Sequence, residues 1–284
     1  MPPRQRALHR ATVTASERIS PQLVRIAFDC PAMIGAEFPH TDHYIKLLFP
    51  PPGADYAWPF DPAAIREATP QQAPVTRTYT LRSIDPKTGA LVVDFVIHGD
   101  EGLAGPWAAA ARPGDEIGFL GPGGAWHPIS EFSHFVFAGD ESAAPAISAA
   151  LEALPLGATA DVFLEITDAA ASFDVPIPEG STLTWVARDG AGYGTALARA
   201  VREAPVPTQR TGWFVHGVAE MVKDLRSYLF VDLGLPRSDV SISGYWRSGM
   251  TEDGWQSSKH EFVATMDAEE LAAGAAPAQA KPAK

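Results

Sequence analysis

A short segment of the chain, RTYTLR from Arg77 to Arg82, combines three side-chain types that can act together on one ligand. In a strand, Arg77 and Tyr79 lie on one face, whereas Thr78 and Thr80 lie on the other. An arginine binds phosphate oxygens with two N–H groups, a tyrosine ring packs against a flat ring, and a threonine hydroxyl donates a hydrogen bond. A flavin dinucleotide requires such groups at its pyrophosphate, its isoalloxazine ring and its N5 atom. On spacing alone, the alternative is an exposed strand that carries two solvated arginines.

Two other cations occupy positions where they could meet an anionic ligand. Lys46 stands between the apolar residues Ile45 and Leu47, so it points away from the buried face of its strand. Arg247 follows the last predicted strand, VSISGYW, and the ends of parallel strands form the ligand-binding edge of such sheets. The alternative for each residue is a solvated surface charge.

A polar loop, Asp140-Glu141-Ser142, follows the apolar segment HFVFAG. If that segment is the first strand of a parallel sheet, the loop lies where open sheets of this kind bind ligands. The loop stands in place of a glycine-rich phosphate loop, and the segment contains no G-x-G-x-x-G motif. Asp140 and Ser142 are equally suited to cap the helix that follows.

The elements that must position these residues fall into two groups. Up to about Ile129 the chain is rich in short β-branched and aromatic segments, and DPKTG at 85–89 predicts a hairpin. Short antiparallel strands at this spacing predict a closed Greek-key barrel, with residues 50–74 as an irregular excursion. The predicted strands include LVRIAFDC, HYIKLLFP, TRTYTLRSI and ALVVDFVIH.

After Ser133 strand-like and helix-like segments alternate, which predicts a parallel sheet with crossover helices. We therefore expect a barrel domain at 1–130, an α/β domain at 131–265 and a flexible tail rich in Ala, Pro and Lys at 266–284. The fold class is a β-barrel followed by an α/β domain, as in ferredoxin reductases.

Composition excludes several classes of function. A formal net charge of -12 argues against nucleic acid as a general partner. No apolar run approaches the roughly 20 residues of a membrane span, and no apolar segment follows the basic N-terminus, so we expect neither a membrane anchor nor a secretory signal. The single cysteine, Cys30, suits a reducing cytoplasm. The eight histidines show no metal-ligand spacing beyond His40 and His43, which are interpreted as loop residues.

Six segments in order resemble the siderophore-interacting proteins, the bacterial ferric-siderophore reductases. RTYTLR is similar to their R-x-Y-T-x-R motif, and it is accompanied by HYIKLLFP, VDFVIHGDEG with a following Trp-Ala, PGDEIGFLGPGG, FAGDESAAPAI and SGYWRSG. Together the segments span roughly residues 40 to 250. The sequence is identified as a member of this family on their order.

The resemblance implies roles for particular residues. It implies a substrate site at Lys46 and Arg247, no resident metal and no catalytic side chain beyond the flavin. Two departures stand out: Gly105 replaces a small hydroxyl residue, and HGVAEMVKD (216–224) matches the second dinucleotide loop poorly. The cofactor contacts that it implies are Arg77, Thr78, Tyr79, Thr80, Asp94, Val96, His98, Gly102, Ala104, Gly105, Trp107, Asp140, Glu141 and Ser142.

The implied activity is reduction of a ferric siderophore in the cytoplasm by a monomeric FAD enzyme that uses NADPH or NADH. A reduced ferredoxin as donor is a rival within this class. A protein that binds the ferric siderophore without turnover is a rival from another class.

Overall fold

Six antiparallel strands in the first half of the chain form a closed barrel. The computed structural model describes residues 7–97 and 102–277, and two compact units divide between His127 and Pro128. The barrel order β1-β2-β5-β4-β3-β6 places β3, β4 and β5 side by side and returns β2 beside β5, which is a Greek key. The strands are β1 (Leu8–Ser20), β2 (Leu23–Asp29), β3 (Tyr44–Phe49), β4 (Val75–Asp85), β5 (Ala90–Val96) and β6 (Glu116–Gly123).

Side-chain alternation fills the barrel. Ile45 and Leu47 of β3 are buried in the core, as are Val93 and Phe95 of β5, whereas the residues between them face outward. Burial of each such side chain contributes roughly 1.5–3 kcal/mol. The predicted barrel is confirmed.

The predicted hairpin joins β4 to β5. The Asp85 carboxylate accepts hydrogen bonds from the Lys87 N–H at 2.9 Å and the Thr88 hydroxyl at 2.8 Å. Gly89 closes the turn with φ of 81°, a backbone conformation that favours glycine.

Two parts of the barrel unit were not predicted. Strand β1 was missed because few of its residues, among them Ala11 and Val13, are buried. The excursion at 50–74 contains helix α1 (Pro62–Ala68), which Asp61 caps by accepting the Ala63 N–H at 2.8 Å. A second short helix, α2 (Ala104–Ala110), precedes β6.

The second unit is a parallel sheet of five strands in the order β11-β10-β7-β8-β9, which confirms the predicted α/β architecture. Helices α4 and α5 cover one face, where they pack on Val136, Trp213 and Val215. None of the described helices is both long and apolar enough to cross a membrane. The elements are β7 (His134–Gly139), α3 (Ala144–Glu152), β8 (Thr159–Ile166), β9 (Thr182–Ala187), α4 (Thr195–Glu203), β10 (Gly212–Val218), α5 (Ala219–Ser227), β11 (Val240–Trp246) and α6 (Glu252–Ala272).

Helix α6 corrects the predicted tail at 266–284, because its last turns run through the start of that segment and bury Met266 and Glu270. Glu270 accepts hydrogen bonds from Arg226 at 2.5 and 2.8 Å and from Arg237 at 2.6 Å. Burial alone would raise the pKa of Glu270, but the two arginines outweigh burial and lower it. The helix was missed because its buried side is narrow and anchored by charge rather than by an apolar stripe.

Candidate functional site

The predicted flavin segment lies on β4 next to β3. Arg77 and Tyr79 pair with the core residues Leu47 and Ile45, whereas Thr78 and Thr80 pair with Lys46 and Tyr44 on the outer face. The predicted alternation of faces is therefore confirmed.

The side chains on the inward face of β4 are only half-buried. Tyr79 lies 4.5 Å from the Phe95 ring between ring centroids, and Arg77 donates a hydrogen bond from Nη1 to the Thr76 carbonyl at 2.7 Å. Both contacts fix the direction in which the side chain leaves the strand. Thr80 is buried on the opposite face.

Lys46 leaves the core as predicted. It lies opposite Thr78 on β4 and Leu120 on β6, so the ammonium-bearing side chain shares the outer face with the two threonines. This juxtaposition places a cation beside the hydroxyls that were predicted to meet the flavin.

The predicted contacts on β5 are split. Asp94 and Val96 share the outer face. The Asp94 carboxylate, however, is buried, and its two oxygens accept hydrogen bonds from Arg25 of β2 at 2.7 and 2.8 Å. The structure thus gives Asp94 a cross-strand ion pair, which positions β5 rather than offering a free carboxylate. His98 lies outside the described residues.

The next cofactor contacts that the family resemblance implies begin at Gly102, and the structure describes the chain from that residue onward. Gly102 has φ of 85° and Ala104 is buried. The Trp107 ring packs parallel to Phe28 at 6.3 Å and also contacts Phe49 and Phe95, so its main role in the structure is in the barrel core. The sequence alone does not distinguish this role from a cofactor contact, because an aromatic residue serves either one.

The residues around β4 and α2 fit a flavin dinucleotide in chemistry. The half-buried Arg77 supplies a cation for phosphate, Tyr79 a ring, and Thr78 and Thr80 hydroxyls. No described side chain caps the start of α2, so backbone N–H groups there have no side-chain acceptor in the described chain. A Cβ at Gly105 would meet its nearest atom, the Val96 carbonyl oxygen, at 3.7 Å, so glycine is not required by crowding.

The ends of β7–β11 and the loops that follow them form the carboxyl edge of the sheet. Asp140 lies there, as predicted, and is almost wholly buried. Its carboxylate accepts the Ser142 N–H at 2.9 Å, the Ser142 hydroxyl at 2.5 Å, the Val218 N–H at 2.8 Å and the Trp246 indole N–H at 2.8 Å. Burial raises the pKa of Asp140, but three of these partners can only donate, which suits a carboxylate.

The alternative in which Asp140 caps a helix is therefore present in the structure. The Ala143 and Ala144 N–H groups also bond the Asp140 carbonyl, at 3.0 and 3.1 Å. Gly217 must be glycine, because a Cβ there would lie 2.7 Å from Asp140 Oδ2 and its φ is 141°. The carboxylate thus takes the Val218 N–H at the start of α5, and helix N-termini are common binding sites for phosphate. A cofactor contact by Asp140 or Ser142 stays a prediction.

Glu141 belongs to a buried ionic cluster that sequence analysis did not foresee. Arg188, at the end of β9, donates to both oxygens of Glu141 at 2.8 and 2.9 Å and to Glu165 at 3.3 Å. Glu165 also accepts the Gly194 N–H, at 2.9 Å. Burial raises the pKa of Glu165, while Gly194 and Arg188 oppose that effect. The sequence signal was a charged WVARDG segment at the end of an apolar strand.

Arg247 lies at the carboxyl edge as predicted, but it is paired. Its Nε donates to Glu220 at 3.3 Å, and its guanidinium lies 5.0 Å from the centroid of the Phe262 ring. The charge that it offers to a ligand is partly offset by Glu220.

The closed Greek-key barrel followed by a five-stranded parallel sheet defines a ferredoxin-reductase type of fold, which solved ferredoxin reductases share at 10 to 16% sequence identity. Residues 12–126 match the model of the siderophore-interacting FAD-binding domain, and residues 132–249 match that of the siderophore-interacting protein. The chain belongs to the siderophore-interacting protein family, and its barrel is an FAD-binding domain.

Three known proteins show how similar the chain is to other members of the family. An uncharacterized protein of Mycobacterium tuberculosis is 36% identical over 91% of this chain and 96% of its own length. The ferric vibriobactin reductase ViuB of Vibrio cholerae is 33% identical over 85% of this chain and 90% of its own. The crystal structure of SipS from Aeromonas hydrophila matches with a TM-score of 0.77 at 29% identity, covering 92% of this chain and 99% of that one.

Proposed function

We propose that this protein is an FAD-dependent ferric-siderophore reductase that takes electrons from NADH or NADPH and releases iron as Fe(II) in the cytoplasm. The observation that carries the proposal is the juxtaposition on β3 and β4, where Lys46 lies opposite Thr78 beside the predicted flavin segment. The Vibrio relative is a ferric vibriobactin reductase, which supports the proposal.

FAD, when bound, supplies the chemistry that links a two-electron hydride donor to a one-electron acceptor such as Fe(III). In the proposal, Arg77 binds the pyrophosphate, Tyr79 packs against the isoalloxazine ring, and Thr80 donates a hydrogen bond to it. These residues orient the cofactor and hold it in the barrel. None of them transfers a proton.

Lys46 and Arg247 are the proposed substrate cations. A ferric siderophore is bulky and often anionic, and a chain with a net charge of -12 does not attract anions from a distance. Local cations must therefore carry recognition. Because Arg247 is paired with Glu220 and Lys46 faces outward from β3, Lys46 should contribute the larger share.

An anaerobic titration tests the proposal. Purified protein should be yellow, NADH or NADPH should bleach the flavin, and subsequent addition of a ferric siderophore should restore the colour while a ferrous-specific chelator reports Fe(II). If reduced ferredoxin alone bleaches the flavin, the proposed donor is wrong but the proposed reductase activity stands. Binding of the ferric siderophore without recovery of the flavin colour would indicate a binding protein and contradict the proposal.

A further inference from the structure

Aromatic side chains are concentrated in the excursion at 50–74 and have no role in the proposal above. Trp58 and Phe60 lie 5.3 Å apart between ring centroids, at 77°, and Phe60 meets Tyr56 at 5.0 Å and 76°. Nearly perpendicular pairs of this kind are favourable arrangements of aromatic rings. All three rings are only half-buried, so the excursion holds a packed group of rings that is still partly exposed.

Trp58 lies on the outer face of the barrel, over Gly118 of β6. A Cβ at Gly118 would overlap the Trp58 ring, so glycine leaves the room that the indole occupies. Ile117 and Phe119, on either side of Gly118, belong to the core, and by alternation Gly118 faces outward. Leu48, the partner of Gly118 on β3, also faces outward and is nevertheless buried. The indole is thus seated on the outside of β6 and not in the barrel core.

A second ring lies over a second glycine of the same strand. A Cβ at Gly123 would come within 2.6 Å of Tyr44 Cζ, so the Tyr44 ring lies across its strand partner Gly123. On its other side Tyr44 pairs with Thr80 of β4. The Tyr44 ring is therefore turned toward β6 and away from the predicted flavin segment.

Lys46 lies between the two rings. It is two residues from Tyr44 along β3, and it pairs with Leu120, between the two glycines of β6. Residues on one face of a strand follow one another at roughly 6.5 Å, a distance that a lysine side chain can span. In the part of the chain that the structure describes, Lys46 makes no ion pair. We call Tyr44, Lys46 and Trp58 the aromatic strip.

The chemistry of the strip matches a flat ring that carries negatively charged oxygens. Aromatic rings pack against tryptophan and tyrosine, and an ammonium group binds phenolate or carboxylate oxygens. The acids beside the rings of the excursion, Asp55 and Asp61, are exposed, so water and salt screen their charge. Asp61 also accepts the Ala63 N–H at the start of α1. An aliphatic anion would use Lys46 but would leave the two rings without a partner.

We propose that the aromatic strip makes the enzyme selective for ferric siderophores that bind iron through aryl groups, such as catecholates, over those that bind it through aliphatic groups. An aryl ring packs on Trp58, and Lys46 binds the negatively charged oxygens at the edge of that ring. The inference rests on the proposed ferric-siderophore reductase activity. The strip is assigned to the substrate and not to the flavin, because both rings lie over β6, and β3 separates β6 from the flavin segment on β4.

Equilibrium binding of redox-inert complexes tests the inference without turnover. Gallium(III) has the charge of Fe(III) and is not reduced by a flavin, so calorimetry on the oxidised holoprotein can compare a gallium tricatecholate with gallium citrate, an anion without aryl rings. Trp58→Leu should weaken binding of the tricatecholate about tenfold and leave that of the citrate unchanged. Lys46→Ala should weaken both. No binding of the tricatecholate, an equal effect of Trp58→Leu on both complexes, or no effect on either would overturn the inference.

Further variants separate the position of the indole from the packing of the excursion. Gly118→Ala keeps Trp58 but displaces its ring, and should weaken the tricatecholate as Trp58→Leu does. Trp58→Phe, which keeps a ring, should retain most of the affinity. Tyr56→Leu is the matched control, because it removes a ring of the excursion that packs on Phe60, and it should leave the affinity unchanged. Full affinity in Gly118→Ala, or an equal loss in Tyr56→Leu, would contradict the assignment.

The flavin content of each variant shows whether the ring serves the cofactor instead. It should equal that of the wild type in every variant of the strip, and loss of flavin in Trp58→Leu but not in Tyr56→Leu would assign the indole to FAD and overturn the inference.

The two proposals fail in different ways. If Trp58→Leu binds the tricatecholate normally while NADH or NADPH still supports iron reduction, the aromatic strip is wrong and the reductase stands. If the tricatecholate binds through Trp58 but no donor supports reduction of its ferric counterpart, the reductase is wrong and the ring site stands.

Discussion

The outer face of β3 and β4 and the carboxyl edge of the sheet both carry polar groups, but these groups are positioned by different means. On the barrel, Lys46 and Thr78 follow from strand alternation and pair across neighbouring strands. At the carboxyl edge, Asp140 and Glu141 share one loop, Arg188 comes from another, and all three side chains are buried. The barrel face is therefore set by neighbouring strands, whereas the charges at the edge mainly hold its loops to one another.

The largest expected effect is a loss of stability when the buried cluster of Glu141, Glu165 and Arg188 loses its cation. Arg188→Ala leaves Glu141 and Glu165 buried without their cation, which should lower the free energy of unfolding of the α/β unit by about 3–5 kcal/mol. Urea denaturation measures it. Arg202→Ala is a matched control, because Arg202 also pairs with two carboxylates, Asp224 and Asp232, and lies over a ring, but at the surface. Its loss should cost about 0–1 kcal/mol. Equal losses in the two variants would contradict the contrast between buried and exposed charges.

The next effect concerns the flavin. Arg77→Ala removes the proposed pyrophosphate cation, and a hydrogen bond to a charged group contributes about 1.5–3 kcal/mol, or roughly ten- to a hundredfold in affinity. The variant should lose most of its flavin during purification, as measured by the ratio of visible to ultraviolet absorbance. Arg66→Ala, on the exposed face of α1, should keep it. Full flavin content in Arg77→Ala would show that the placement is wrong.

A smaller effect separates the two substrate cations. Loss of one exposed cation near an anion costs about 1 kcal/mol, a few-fold to tenfold in affinity. Lys46→Ala should raise KM for an anionic ferric siderophore by this factor, and Arg247→Ala should raise it less because of Glu220. Flavin content and flavin reduction by the donor should not change.

Two controls accompany this comparison. Lys87→Ala, in the exposed turn between β4 and β5, should leave KM unchanged. A neutral ferric chelate should be affected less than an anionic one by either substitution. The idea fails if a neutral chelate responds as strongly, or if neither variant changes KM.

The smallest effect is expected at Cys30. The thiol is fully buried and burial raises its pKa, so it is a poor nucleophile and a poor electron carrier. Cys30→Ala should reduce a ferric siderophore at the wild-type rate. A large loss of rate with flavin still bound would give the thiol a role in the chemistry.

The sequence was sufficient to predict the features that follow from side-chain alternation or from residues close together in the chain. The faces of β3 and β4, the hairpin at Asp85–Gly89 and the parallel order of the second unit all depend on near neighbours or on alternation. The same reasoning placed Asp140 and Arg247 at the carboxyl edge.

It was insufficient where the partner of a side chain is distant in sequence. The pairing of Arg25 with Asp94, of Glu141 with Arg188 and of Glu220 with Arg247 depends on tertiary contacts that no local pattern records. Helix α6 was missed for the same reason, because Glu270 is buried only when Arg226 and Arg237 surround it. Trp107 shows the remaining ambiguity, since a core ring and a cofactor-binding ring look alike in a sequence.

The position of Glu270 near the end of the chain bears on the order in which the protein can be completed during synthesis. Arg226 lies on α5 and is buried in the finished unit, yet its carboxylate partner is made more than forty residues later. Until α6 has left the ribosome, α5 presents an arginine that has to stay in water, so its final packing must wait for the last helix. The packing of α5 is thus completed by an acidic residue that is made after all five strands of the sheet.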